Sequence, residues 1–146
     1  MTERVATYKF QRLQIYQLGL DYVSAMYTLT QRLPRTEDLN LRSQLQRAAT
    51  SIVLNIAEGS TSQSDAEQSR FLGVGLRSLM ECVACLDLVE RHSYATNEGL
   101  LATMELGHHL FTKVQAMRRS LEKSRRVQAG RRSPVVGVRS SRGVKS

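Results

Sequence analysis

The chain carries apolar residues in steps of three and four through four successive segments, with none of the alternation that marks strands. That periodicity sets the expected fold class as all-α. In the first segment Leu13, Tyr16, Leu20, Val23 and Tyr27 fall on one helical stripe. Leu33-Pro34 closes it, because proline drives the preceding residue out of the helical region. The second segment places Leu41, Leu45, Ala48, Ile52 and Ile56 on its stripe. It ends at Gly59, where a helix terminus calls for a residue that tolerates positive φ. Ser60 to Ser64 has the composition of a loop.

The third segment opens on Ser64-Asp65-Ala66-Glu67, a capping box whose hydroxyl and carboxylate satisfy free N–H groups at a helix start. Leu72, Leu76, Leu79, Val83 and Leu86 follow. Gly73 and Gly75 each cost ~1 kcal/mol relative to Ala inside a helix, so their presence implies that another helix passes close by. The fourth segment begins near Thr96-Asn97, carries Leu100, Met104, Phe111, Val114, Met117 and Leu121, and runs to about Arg126.

Four amphipathic helices with short connections pack most simply up-down-up-down. The expected organisation is an N-terminal extension over 1–9, an antiparallel four-helix bundle over 10–126 and a tail over 127–146. The tail is rich in Gly, Ser and Arg, lacks helical period and is expected to be disordered. Leu18, Leu29, Leu54, Val74, Leu88 and Val89 lie beside or off the four stripes. A lone bundle would leave some of them in water, so self-association is expected.

The net charge of +8 is concentrated at one end. Arg118, Arg119, Lys123, Arg125, Arg126, Arg131, Arg132, Arg139, Arg142 and Lys145 supply ten of the 21 basic residues, and only one of the 13 acids, Glu122, lies among them. The body is therefore near neutral and the C-terminal segment strongly cationic. Arginine-rich segments bind phosphate backbones through charge and counterion release, and they can fold on RNA. An acidic protein or an anionic membrane surface would suit the same charge, and a merely solubilising tail would show it too. Arginine dominance and confinement to one end favour nucleic acid, with RNA ahead of DNA.

Other chemistry finds little support. Cys82-Val-Ala-Cys85 has redox-motif spacing but falls inside a helix, and a zinc site would need a second pair that the chain lacks. Two buried thiols are the simpler reading. His108 and His109 point about 100° apart on a helix and cannot readily chelate one ion. No phosphate loop, nucleophile elbow or paired-acid motif occurs. Asn55, Glu58, Ser78 and Glu81 lie near the apolar faces of the second and third helices. They could line a cleft, but a hydrogen-bonded polar layer fixing helix register is the better reading. The expectation is a protein without catalytic activity, cofactor or metal. The charged N-terminus, the absence of a membrane span and the two cysteines together point to the cytoplasm.

The second and third segments also carry a family resemblance. Ser43-Gln44-Leu45-Gln46-Arg47-Ala48-Ala49-Thr50-Ser51-Ile52, followed by Asn55-Ile56-Ala57-Glu58-Gly59, resembles the signature of bacterial four-helix-bundle proteins encoded in intervening sequences of 23S ribosomal RNA genes. Phe10-x-x-Leu13-x-Ile15-Tyr16, Leu33-Pro34, Arg70-Phe71-Leu72 and Ser78-Leu79-x-Glu81 fit the same pattern, so the likeness spans about 10–121. It implies a cytoplasmic bundle that assembles into a ring, commonly a homo-pentamer, with no known catalysis. Related bundles, the accessory variability determinants of diversity-generating retroelements, form rings that bind a reverse transcriptase and nucleic acid. Ser51, Asn55, Glu58, Gly59, Ser78 and Glu81 are the signature residues. Three departures stand out. Val53 replaces the family's usual proline, the loop from Ser60 to Asp65 lacks its usual basic residues, and the cationic tail runs past the family's usual end.

Overall fold

The computed structural model describes residues 5–132. Within them four helices follow one another, α1 (Gln14–Thr30), α2 (Leu41–Ser60), α3 (Asp65–Arg91) and α4 (Asn97–Arg132), with single 3-10 turns at Lys9–Arg12 and Arg35–Glu37. No strand occurs among the described residues. α2 packs on α1 and α3, and α4 packs on α3 and α1, which closes a four-helix bundle. The core is continuous and draws on every helix, with Tyr22, Met26, Leu45, Ile52, Ile56, Leu72, Leu79, Leu86, Val89 and Leu110 at its centre.

The stripe expected on α2 is wholly buried. That on α3 is buried except for Val83, whose place toward the core Cys82 takes. α4 buries Leu100 and Val114 and half-buries Met104, Phe111, Met117 and Leu121, while Leu110 adds a core contact outside the expected stripe.

α1 departs from expectation. Its core face is Ile15, Gly19, Tyr22, Met26 and Leu29, whereas Leu20 and Tyr27 are 37% and 44% exposed. The reason is steric. α1 is apolar around most of its girth, and the face that docks is the one where Gly19 lets a neighbour in. A Cβ at Gly19 would stand 2.8 Å from Val53 Cγ1.

Gly59 also differs. α2 continues through it to Ser60, and no glycine among the described residues has positive φ. Gly59 is instead where α2 and α3 approach, since a Cβ there would lie 2.9 Å from Phe71 Cβ. Ser64 accepts from the Glu67 N–H at 3.2 Å and so caps α3, the serine half of the expected capping box. Between α1 and α2, Arg42 acts as a clamp. Its guanidinium donates to the Thr30 carbonyl, to the Leu33 carbonyl at 2.6 Å and to Asp38 at 2.8 Å. It thereby adds a second donor to the Thr30 carbonyl, which also accepts from the Leu33 N–H at 3.2 Å, and supplies one to the Leu33 carbonyl in the connection to α2.

α4 runs past the expected end at Arg126 and remains helical to Arg132. The disorder expected from residue 127 therefore does not apply to 127–132. The rest of the expected tail, with Arg139, Arg142 and Lys145, lies outside the described residues.

Candidate nucleic-acid interface

The geometry of the basic end follows from helix register. α3 and α4 run antiparallel, with Ser69 hydrogen-bonded to Glu122 at 3.4 Å and Gly73 against Arg118. Each step toward the start of α3 is matched by a step toward the end of α4, so Asp65 lies level with about residue 126. Beyond that level α4 has no α3 beside it. Every residue from 122 to 131 is exposed. The 36 residues of α4 span about 54 Å and the 20 of α2 only about 30 Å. The last turns of α4 therefore form an overhanging arm.

The basic residues divide between arm and bundle. Arg119, Lys123 and Arg126 follow at helical spacing on one side of α4, and Arg125 and Arg131 are exposed on others. Arg118 is not freely presented. Its Nε donates to Ser69 Oγ at 3.3 Å, and it stands 3.8 Å from Glu122. Its guanidinium covers Gly73, where a Cβ would come within 2.9 Å. Gly73 thus lies under the flexible end of a crossing helix's side chain, whereas a Cβ at Gly75 would meet α2 only in ordinary contact, 3.7 Å from the Ile52 carbonyl oxygen, so a close helix approach does not account for Gly75. Arg132 ends α4.

The signature residues form a ridge where α2 meets α3. The Ser51 and Ser78 hydroxyls share a hydrogen bond of 2.8 Å. Asn55 Nδ2 donates to the Ser51 carbonyl at 2.8 Å and to its hydroxyl at 3.1 Å. These three make a small polar layer that ties the helices together. Glu58 and Glu81 do not join it. Both are exposed and line open grooves on either side of the ridge. Gly59 serves packing, as described above.

The remaining chemically suggestive groups stand apart. Cys82 and Cys85 are free thiols buried in the core. Burial, with help from Cys85 and Glu81, pushes the Cys82 thiol up to about 12, and burial raises Cys85 as well. His108 and His109 are both exposed. Among the described residues no group of three or more His, Cys, Asp or Glu side chains could hold a metal ion. No helix among them is long and apolar enough to cross a membrane.

The 23S rRNA-intervening sequence protein family matches this chain over residues 11–124. The chain belongs to that family. Among solved structures, a protein of unknown function from the S23 ribosomal protein family of Bacteroides thetaiotaomicron is similar, at 22% identity and a TM-score of 0.67. The likeness covers 71% of this chain and 97% of that one, and it shows the fold. A comparison with curated proteins finds no match.

The family match stops just short of Arg125, Arg126 and Arg131. Those exposed cations lie outside the matched span. A second basic feature lies off the apolar stripes. Arg70 and Arg77 are both exposed on α3 beside the α4 residues Phe111 and Arg118. Their seven-residue spacing, two helical turns, was the available signal.

Proposed function

We propose that this protein is a non-enzymatic, self-associating accessory that binds nucleic acid, RNA in preference to DNA, through the end of α4 and the basic residues after it. The observation that carries the reading is the exposed basic end of α4, whose last turns overhang α3. Arg119, Lys123, Arg125, Arg126 and Arg131 are exposed on a helix that outruns its neighbour, with Glu122 the only acid among them. Such an array neutralises phosphates at little desolvation cost, and its affinity falls steeply with salt. The family's name, which links these proteins to ribosomal RNA genes, supports RNA as the polymer.

Self-association has separate support. Tyr27 and Leu54 share one groove with Arg47, Asn55 and Glu58, and Leu54 is 54% exposed. With Leu20 two turns from Tyr27 on the same side of α1, they give an apolar patch rimmed by polar groups, the pattern of an interaction surface. A homo-oligomer, a pentamer in the reading taken from the family, would place several arms together and convert weak phosphate contacts into avidity.

The test is a version of the chain that ends after Leu121. It should keep its helical content and its mass in solution while losing RNA retention in a filter-binding titration across salt concentrations. RNA binding equal to that of the full chain would refute the proposal.

A further inference from the structure

A groove of about 480 Å³ runs between α3 and α4 on the outer surface of the bundle. Three arginines line it, Arg70 and Arg77 from α3 and Arg118 from α4, and no carboxylate does. Glu122 stands beside Arg118 at 3.8 Å, but among the described residues neither Arg70 nor Arg77 pairs with an acid. The two lie about 10.5 Å apart along the helix. Between them the lining turns apolar. Val74, 37% exposed, lies there, and one turn past Arg77 the floor continues in Met80, 46% exposed, level with Phe111 of α4. Arg70 already stacks its guanidinium over the Phe71 ring, 4.7 Å from the centroid.

Cations spaced along a strip with an aromatic and apolar floor suit a polymer that offers phosphates and unpaired bases together. A duplex hides its base faces and would leave the floor of the groove unused. We infer that the α3–α4 groove is a track for single-stranded nucleic acid, with phosphates on Arg70 and Arg77 and a base against Met80 and Phe111. The inference rests on the nucleic-acid reading above and names a site on the bundle distinct from the arm. Arg118 joins the two, because Arg125 lies two turns further along the same side of α4.

The test uses the full chain and a fluorescein-labelled oligouridylate, with binding followed by anisotropy over a series of salt concentrations. Arg70→Ala/Arg77→Ala removes two exposed side chains and should leave the circular dichroism spectrum unchanged. It should lower the slope of log affinity against log salt by about 1.4, at ~0.7 per phosphate contact on a single strand. The control Arg32→Ala/Arg91→Ala removes equal charge from exposed positions outside the groove and should leave that slope unchanged. Phe111→Leu should weaken binding of the oligouridylate several-fold without altering binding of an RNA duplex. If the groove variant binds as the unaltered chain does, or the control lowers the slope equally, the track is refuted while the arm reading stands. If the unaltered chain binds no oligouridylate or duplex even at low salt, the underlying nucleic-acid reading fails with it.

Discussion

Cys82 makes the fold sensitive to alkali. Its thiol is fully buried on α3, and burial is the main reason that it ionises only near 12 instead of the usual 9.0. The unfolded chain releases this proton from about pH 9, whereas the folded chain holds it. The folding stability tied to Cys82 is therefore complete below pH 9 and is lost as pH rises toward 12. Within that window the loss is about 1.4 kcal/mol per pH unit. From about pH 8 to about pH 10.5 it amounts to about 2 kcal/mol, a large share of the ~5–15 kcal/mol that holds a domain together. Cys85 and the buried Tyr22, both also raised, act in the same direction. The assay is urea unfolding followed by circular dichroism, under reducing conditions, for the unaltered chain and for Cys82→Ala. The variant should start less stable because it leaves a small cavity, but it should decline less steeply with pH, so that the two curves converge by about 2 kcal/mol. Curves that stay parallel would mean that the thiol ionises without unfolding, and the argument from burial would fail.

Three further outcomes are expected. Gly107→Ala should destabilise the bundle by about 1–3 kcal/mol in thermal or urea unfolding despite its better helix propensity, because the new Cβ would stand 2.9 Å from the Tyr22 ring. Tyr22→Phe should leave stability unchanged or raise it by about 1 kcal/mol, since the buried hydroxyl has no hydrogen-bond partner among the described residues; denaturant midpoints decide this. Arg42→Ala should cost about 2 kcal/mol in urea unfolding, because it strips the clamp from the Thr30 and Leu33 carbonyls.

How much of this was legible in the sequence depended on how much each helix had to hide. α2 carries one clear stripe, so period alone picked out Leu41, Leu45, Ala48, Ile52 and Ile56. α1 is apolar on two sides, and period cannot say which side docks. Gly19 decides the matter by admitting Val53, and a glycine registers in a stripe only as a gap. Gly59 was misread for a related reason. A glycine near a helix end suggests positive φ, yet here it serves the contact with Phe71, a tertiary fact with no local signature. In the polar layer, Ser51, Asn55 and Ser78 meet as their spacing allows. Glu58 and Glu81 project one step round their helices into water. Only residues 127–132 depart from the helix end expected near Arg126, because high charge and glycine suggest a coil while the helix they extend is already formed.

That last point gives the overhang of α4 a meaning beyond shape. Starting a helix is costly, whereas lengthening one adds a hydrogen bond for each residue fixed. The bundle bears the starting cost, and residues 127–132 need only propagate. A peptide cut from this end would begin without that template and should be mostly coil, with its cations repelling one another. The direction and rotational phase of the arm's cations are thus set by where the bundle holds α4, nearest them at the contacts of Arg118 and Glu122 with Ser69 of α3. A change that loosened that hold would misdirect the arm without altering a single charge on it.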